Sequence, residues 1–224
     1  MADCALISRL ENDGYALVPS FIDADTVGVL ADVFSSLADG GGRRHLIGDP
    51  AVHNVLHSQK LVAMVHALLS PTAFAFKATL FDRNADHNWL VAWHRDLSIP
   101  VSARRDTKGW SGWSIKDGVD YVHPPVELLT RVLAIRINID DTGPDDGPLR
   151  VLPGTHWSTT ENQADETTAV NCVGLAGDAV LLRPLILHAS LKSRSSARRR
   201  VLHIEFSDID LDAGLDWHHR LAIG

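Results

Sequence analysis

The spacing of apolar residues divides the chain into a helical first third and a strand-rich remainder. In the first 70 residues apolar side chains recur every three or four positions, as on the buried face of a helix. This spacing predicts a first helix through Leu6 and Leu10 that ends near 12–14, followed by a strand over 15–18. A second helix is predicted with Val27, Leu30, Val33, Phe34 and Leu37 on one face; Asp23 or Asp25 caps its start, and glycines 40–42 end it. A third helix is predicted over 58–69.

After Pro71 the pattern changes to short runs of β-branched and aromatic residues, separated by clusters of Gly, Pro, Asp and Asn. These runs predict strands over 74–81, 90–95, 131–140, 149–152, 179–183, 185–188 and 199–206. Helices followed by many short strands indicate an α+β fold, mainly β, whose core is a β-sandwich or a jelly roll.

The length of 224 residues suits one domain. We therefore expect a single domain over 1–224, made of a mostly helical N-terminal layer (1–70), a β core (71–207) and a C-terminal tail (208–224). Within the core, 98–130 is predicted as a long irregular loop, and loops of this length are usually functional. Trp110 and Trp113 favour an ordered active-site loop, in which both residues are candidate substrate contacts.

Composition limits the class of protein and of site. The chain has 45% apolar residues and a formal net charge of −7, which suits a soluble globular protein and argues against general nucleic-acid binding. It has no signal-peptide pattern and no run of about 18 apolar residues, so we expect a cytoplasmic protein. Two cysteines are too few for a disulfide framework or a thiolate zinc module, whereas 12 histidines leave a His/carboxylate metal site open.

His94 and Asp96 are the first candidates for such a site. They lie two residues apart at a predicted strand, so their side chains project to the same face and can hold one ion together. His188, at the end of the apolar run 179–187, can reach the same ion from another strand. Two His and one carboxylate on one side of an octahedron form the facial triad typical of non-haem Fe(II) oxygenases.

Three consecutive arginines, 198–200, begin the last predicted strand. The residues that share a face with Arg200 are all apolar, whereas those that share a face with Arg199 include His203 and Glu205. This alternation selects Arg199 as the arginine of a polar pocket, with His203 lining the same pocket. It leaves Arg198 and Arg200 in a solvated basic turn.

Two other predicted strands offer polar side chains to the pocket. Lys77 lies on the face opposite Phe74 and Phe76, where it can meet a carboxylate. Arg136 and Asn138 lie opposite a solid Leu/Ile face in 131–140, which indicates a pocket wall. We therefore predict Arg136 and Asn138 as substrate contacts.

Three motifs follow one another along the chain: WHRDLSIP at 93–100, DGPLRVLPGTH at 146–156, and HAS at 188–190 followed by Arg199. Together they resemble the phytanoyl-CoA dioxygenase-like branch of the Fe(II)/2-oxoglutarate-dependent oxygenases, over residues from about 74 to 206. In one departure, Ser193 stands where many members have Asn.

The resemblance implies a double-stranded β-helix (a jelly-roll or cupin-like core) with flanking N-terminal helices. It also implies that His94, Asp96 and His188 bind Fe(II), and that Arg199 and Ser190 hold the tail carboxylate of 2-oxoglutarate, with Lys77 as a further candidate. The implied reaction consumes 2-oxoglutarate and the co-substrate O2, releases succinate and CO2, and oxidises the substrate. Because Asp96 is present, hydroxylation is favoured over halogenation.

The sequence therefore predicts an Fe(II)/2-oxoglutarate-dependent dioxygenase that hydroxylates a small-molecule metabolite, either amino-acid-like or another small carboxylate. The alternative is a cupin-like isomerase or hydrolase that uses the same His/Asp/His site without 2-oxoglutarate. A binding module without activity is a third possibility, against which the complete ligand set argues. We expect a small-molecule substrate, no nucleic-acid or membrane partner, and a monomer or small homo-oligomer.

Overall fold

The computed structural model describes residues 4–35, 41–158 and 165–224. Its N-terminal layer consists of α1 (Cys4–Asp13), β1 (Tyr15–Val18), α2 (Ala24–Ser35), α3 (Pro50–Leu56) and α4 (Gln59–Leu68). The three predicted helices and the predicted strand are all present. Leu37 and Gly40, expected at the end of the second helix, lie outside the described residues.

The sequence prediction lacks α3, although two local signals precede it. The Asp49 carboxylate accepts a hydrogen bond from the backbone N–H of Ala51, and Pro50 occupies the first turn. Both features are typical of a helix start. The helix has only 7 residues, too few for a clear periodic stripe.

The rest of the chain is mainly strand. Its elements are β2 (Phe74–Arg83), β3 (Val91–His94), β4 (Ile99–Val101), β5 (Ser111–Lys116), β6 (Val119–His123), α5 (Val126–Leu129), β7 (Val132–Asn138), β8 (Leu149–Val151), β9 (Val170–Cys172), β10 (Ala179–Leu182), β11 (His188–Ser190), β12 (Arg199–Ser207) and β13 (Leu221–Ala222).

Within the described ranges these strands form three sheets, with the orders β1-β10-β7-β12-β2-β13, β3-β11-β8-β9 and β4-β6-β5. All of the pairings are antiparallel. The chain passes repeatedly between the six-stranded and the four-stranded sheet, as in a double-stranded β-helix. The predicted jelly-roll core with flanking N-terminal helices is therefore confirmed.

Alternation along β12 determines what each face of the six-stranded sheet contacts. Leu202, Ile204 and Phe206 lie fully buried in one cluster with helix residues such as Leu30 and Phe34. The intervening side chains face the other way, toward the four-stranded sheet. The helices therefore seal one face of the sheet, and the polar residues of β12 line the interior of the β-helix.

Residues 98–130 differ from the expected irregular loop. β5 and β6 form a hairpin in which Lys116 pairs with Val119, and β4 pairs with β6 on its other edge. The hairpin turn is Asp117-Gly118, and both residues have positive φ angles, 51° and 80°. Asp-Gly between two short strands is a strong signal for such a turn, and the prediction of an irregular loop missed it.

Two smaller expectations are also corrected. The strand predicted over 185–188 begins only at His188, because the residues before it form a turn around Pro184 in which the Ile186 N–H bonds to the Arg183 carbonyl. The segment 208–224 is not a loose tail, since Trp217 is buried and β13 pairs with β2. No helix in the described ranges is long and apolar enough to cross a bilayer.

Candidate metal centre and anion pocket

A cavity of about 120 Å³ lies between the six-stranded and four-stranded sheets. Strands β2, β7 and β12 supply one wall, and β3, β8 and β11 supply the other. Ten polar residues described below, some predicted and some missed by the sequence analysis, open into it. The interior of the β-helix is therefore the place where the chain concentrates its buried charge.

The three predicted metal ligands come together at the mouth of this cavity. His94 and His188 are register partners on the adjacent strands β3 and β11, and their ring centroids lie 4.2 Å apart. The Nε2 atoms of His94 and His188 lie 3.6 and 3.5 Å from the two carboxylate oxygens of Asp96. One ligand atom from each residue falls within 4.8 Å of the others, a spacing that a single metal ion can bridge.

Backbone carbonyls orient both imidazoles for this purpose. The Nδ1 atom of His94 lies 2.9 Å from the Ala92 carbonyl, and Nδ1 of His188 lies 2.9 Å from the Ile186 carbonyl. Because a carbonyl oxygen only accepts, Nδ1 carries the proton in each ring and Nε2 keeps its lone pair. This arrangement of the far ring nitrogen is the usual support for a metal-binding histidine.

The charge states suit a cation at the same point. Burial lowers the pKa of His188 to about 4, so its imidazole is neutral at physiological pH, as coordination requires. The pKa of Asp96 lies well below its ordinary value: burial opposes ionisation, but His188, His94 and Lys77 together outweigh it. The site thus presents the neutral imidazole of His188 and the carboxylate of Asp96. The hydrogen bond to Asp96 raises the pKa of His94, so a proton on that ring competes with a metal ion.

Arg199 lies in the cavity wall, as its strand face predicts, and it has an arginine neighbour. Its register partner on β2 is Arg83, and the two residues are 4% and 1% exposed. The Nη1 groups of both residues donate to the carbonyl of Gly147. Arg83 also donates to the Leu191 carbonyl (2.7 Å) and to Oγ of Ser190 (3.0 Å).

The Nε–H groups of Arg83 and Arg199 are buried and find no hydrogen-bond partner among the described residues. Two buried guanidinium groups side by side, neither paired with a carboxylate in the parts of the chain that the structure describes, could hold an anion. Ser190, predicted as a co-substrate contact, lies at its edge through its bond to Arg83. We call Arg83, Ser190 and Arg199 the arginine pair site.

The arginine pair site has room only for a glycine at position 147. It has a φ of +60°, and a Cβ atom there would lie 2.4 Å from Nη1 of Arg83 and 2.5 Å from the Leu191 carbonyl oxygen. Any larger residue would displace the Arg83 guanidinium. The close approach of this turn is what lets one carbonyl bind both arginines.

Lys77 lines the cavity but is already paired. Its Nζ lies 3.1 Å from Glu205, which also lies 3.0 Å from Nε2 of His203. Lys77 and Glu205 are register partners, six residues along their strands from the arginine pair, a distance of roughly 20 Å along the backbone at about 3.3 Å per residue. The structure therefore places Lys77 at the opposite end of the cavity from Arg199.

Arg136 also opens into the cavity. Its guanidinium lies 5.2 Å from the ring centroid of Phe81, and it forms no hydrogen bond or ion pair with any residue in the described ranges. Burial lowers its pKa to about 10. Asn138, on the same face of β7, is buried but does not line the cavity.

The two predicted tryptophan contacts lie elsewhere. Trp110 is 7% exposed, packs in a hydrophobic cluster with Trp217 and Phe76, and donates from Nε1 to Asp212. Trp113 packs against the edge of that cluster under the guanidinium of Arg104. Neither residue lines the cavity, because the hairpin holds both against the C-terminal segment.

Sequence reasoning missed Arg83 and Glu205. The predicted strand ended at 81, two residues before Arg83, but the alternation that placed Lys77 on the inner face continues to Arg83. Glu205 shares a face with Arg199, but the sequence alone assigns it no role. The expected solvated turn at Arg198 and Arg200 is wrong, since these residues form ion pairs with Asp82 and Asp140.

Comparison with known proteins supports a common fold. The solved structures similar to this chain include HygX from Streptomyces hygroscopicus with nickel and 2-oxoglutarate bound, at 15% identity and a TM-score of 0.68, covering 95% of this chain and 92% of HygX. The epimerase SnoN, in complex with Fe3+, alpha ketoglutarate and nogalamycin RO, gives 17% identity and a TM-score of 0.69, covering 98% and 94%. The carbocyclase SnoK from nogalamycin biosynthesis gives 12% and 0.69, covering 93% and 85%.

No curated protein sequence matches the chain. The phytanoyl-CoA dioxygenase (PhyH) family matches residues 10–201. This range spans α1 to the start of β12 and so includes the three metal-ligand candidates and both members of the arginine pair. The chain therefore belongs to the phytanoyl-CoA dioxygenase (PhyH) family.

Proposed function

We propose that this protein is an Fe(II)/2-oxoglutarate-dependent dioxygenase that hydroxylates a small-molecule metabolite and releases succinate and CO2. The proposal rests above all on one observation, the convergence of His94, Asp96 and His188 in a cavity that also contains an unneutralised arginine pair. A metal site alone would suit many enzymes. A metal site beside a buried site for a carboxylate suits a co-substrate that carries both a chelating end and an anionic tail.

The residues present fit Fe(II). Two imidazoles and one ionised carboxylate form a donor set that suits non-haem iron and leaves coordination positions open. His94, Asp96 and His188 would hold the ion. When bound, iron and 2-oxoglutarate together supply the activation of O2 that the protein's own side chains cannot provide.

The residues also fit the tail of 2-oxoglutarate. Arg83 and Arg199 each keep a buried Nε–H that no described residue accepts from, and a carboxylate is the natural acceptor for such groups. Ser190 can add a hydroxyl at the same end. We assign the tail carboxylate to the arginine pair site, and we exclude Lys77 from it, because Lys77 is bound to Glu205 at the other end of the cavity.

In this proposal the chain's own residues have three roles in binding the metal and the co-substrate. The arginine pair fixes the orientation of the co-substrate, so that its other end lies toward the three metal ligands. The Ala92 and Ile186 carbonyls hold the imidazoles in the tautomer that binds metal. Phe81, Val91, Leu149 and Ala189, which line the same cavity, limit the access of water.

Hydroxylation is the proposed reaction, and epimerisation and ring closure are its alternatives. Among the structural neighbours, SnoN is an epimerase and SnoK is a carbocyclase, so this fold accommodates reactions that add no oxygen to the substrate. The amino-acid-like or small carboxylate substrate is proposed from the basic side chains in the cavity. A cupin-like isomerase or hydrolase would use the same three ligands but would have no use for a buried arginine pair.

The decisive experiment is anaerobic. Fe(II) and 2-oxoglutarate added together to the purified protein should produce the visible metal-to-ligand charge-transfer band of a chelated 2-oxoacid. Absence of the band in folded protein would contradict the proposal and favour the cupin-like alternative. Succinate release across a metabolite panel, with mass spectrometry of the product, then separates hydroxylation (one added oxygen) from epimerisation (no mass change) and ring closure (loss of two hydrogens).

A further inference from the structure

Arg136 is the cavity cation that the proposed co-substrate does not explain. It projects from β7, where it is the register partner of His203 on β12. His203 lies four residues along β12 from Arg199, roughly 13 Å of backbone at about 3.3 Å per residue. At the backbone, one cross-strand row of residues, which contains Phe81, lies between Arg136 and the arginine pair. The Arg136 guanidinium lies 5.2 Å from the centroid of the Phe81 ring, and its charge helps to lower the pKa of Arg199.

Arg136 also lacks a hydrogen-bond acceptor or carboxylate partner in the described ranges, unlike the other cations of the cavity. Lys77 has a carboxylate partner in Glu205, and Arg83 and Arg199 have backbone carbonyl acceptors. Arg136 has neither in the described ranges. Taking a charged group out of water without a partner costs free energy, and the lowered pKa of Arg136 reflects that cost. A folded protein retains such a group where a ligand supplies the missing partner.

The net charge of the cavity with metal and 2-oxoglutarate bound also favours an anionic group on the substrate. A divalent metal ion and the two carboxylates of 2-oxoglutarate cancel each other. Asp96 and Glu205 are the acidic side chains among the cavity-lining residues described, and they face four basic ones: Lys77, Arg83, Arg136 and Arg199. Positive charge therefore remains after both cofactors are in place.

We propose that Arg136 recognises an oxyanion, a carboxylate or a phosphate, on the substrate itself. This inference rests on the proposed function, and it names the class of substrate: an acidic small molecule whose anionic group lies against Arg136 on the Phe81 ring. The planar guanidinium can donate two parallel hydrogen bonds to either oxyanion, which fixes the orientation of the substrate as well as its charge.

The test uses the full chain loaded with Ni(II) and 2-oxoglutarate, so that no turnover occurs. The probes are acetate, inorganic phosphate, acetamide and ethylammonium, each added at constant ionic strength, and the readout is the thermal unfolding midpoint. The variants are Arg136→Gln and Arg136→Lys. The matched control is Arg9→Gln, which removes one positive charge from an exposed position of α1.

We expect acetate or phosphate to raise the midpoint of the wild-type protein and of Arg9→Gln, and acetamide and ethylammonium to have no effect. Arg136→Gln should abolish the response, and Arg136→Lys should retain part of it. Whichever of acetate and phosphate gives the larger shift identifies the oxyanion. Equal responses to all probes, no response to either anion, or a response that survives Arg136→Gln would overturn the inference.

A parallel titration separates this inference from the proposed function. The Arg136→Gln protein with Fe(II), without oxygen, should bind 2-oxoglutarate within about twofold of wild type, as judged by its charge-transfer band. If its affinity falls as far as that of Arg199→Gln, Arg136 belongs to the co-substrate site and the substrate assignment is wrong. If the wild-type protein forms no band, the proposed function fails on its own evidence.

Discussion

Arg83 and Arg199 lie directly opposite each other on adjacent antiparallel strands, both buried, and both bonded to the carbonyl of Gly147. Like charges at opposite positions of a sheet repel each other. A polypeptide that places two there, both lining one cavity, is arranged for an anion rather than for its own stability.

The first prediction concerns this arginine pair. Arg199→Gln should weaken 2-oxoglutarate binding about 10- to 100-fold, since hydrogen bonds to a charged group contribute about 1.5–3 kcal/mol. It should cost little stability in the protein without ligands, because it removes one of two buried like charges. Calorimetric titration of 2-oxoglutarate into Ni(II)-loaded protein and urea unfolding of ligand-free protein measure the two effects.

Arg83→Gln serves as the comparison. It should weaken 2-oxoglutarate binding to a similar degree, but it should also destabilise the ligand-free protein, because the Leu191 carbonyl loses its Arg83 donor and the Gly147 carbonyl keeps only Arg199. Unchanged affinity in Arg83→Gln would mean that Arg199 binds the tail carboxylate alone.

A second prediction concerns the metal. At about 100 times its dissociation constant, Fe(II) should raise the free energy of unfolding by about 2.7 kcal/mol under anaerobic conditions. His188→Gln should lose this stabilisation, because the amide of Gln is a poor substitute for the Nε2 lone pair. His57→Gln, at an exposed position, is the control and should keep the full effect.

The buried ion pair yields a third prediction. Lys77→Met leaves the Glu205 carboxylate buried beside His203 without its main partner, and loss of one member of such a pair costs about 3–5 kcal/mol. The double variant Lys77→Met/Glu205→Gln should recover part of this loss in urea unfolding. Its affinity for 2-oxoglutarate should equal that of wild type, and a tenfold decrease would place Lys77 at the co-substrate after all.

A fourth prediction concerns pH. Burial lowers the pKa of His156, whose Nε2 lies 2.9 Å from the Glu11 carbonyl and whose Nδ1 is buried without a partner in the described residues. Below the ordinary His pKa of about 6.5 the unfolded chain therefore binds more protons than the folded one, and the free energy of unfolding decreases as the pH falls.

His156→Gln should reduce this acid sensitivity. The side-chain amide of Gln can still donate to Glu11, but it does not titrate. The unfolding midpoint of the ligand-free protein, compared between pH 7.5 and 5.5, should fall less in the variant. A residual decrease is expected, since burial also lowers the pKa values of His188, His218 and His219. An equal decrease in both proteins would contradict the assignment.

The sequence was most informative where strand alternation and a local motif agreed. The apolar face of β12 identified Arg199 as the inward arginine, an inference that depends only on the two-residue period of a strand. His94 and Asp96 do converge as predicted, but Asp96 lies just after β3, where its N–H bonds to the Pro184 carbonyl, so strand alternation is not what positions it.

The remaining features of the site could be identified only from the tertiary structure. Arg83 has no partner in its own segment, and its importance comes from the register that sets it opposite Arg199. Trp110 and Trp113 looked like pocket residues because they follow glycines, but the Asp117-Gly118 hairpin turns them onto the C-terminal segment. No local pattern reports that Lys77 is neutralised by a residue 128 positions away.

The short strand β13 covers the outer edge of β2, the strand that holds Lys77 and Arg83. Without it, the backbone N–H and C=O groups of β2 would be open along an apolar edge that includes Phe74 and Ala75. An uncovered strand of this kind is a template for pairing with another chain. Proteolytic loss of the last few residues should therefore cause self-association before it causes loss of the metal site.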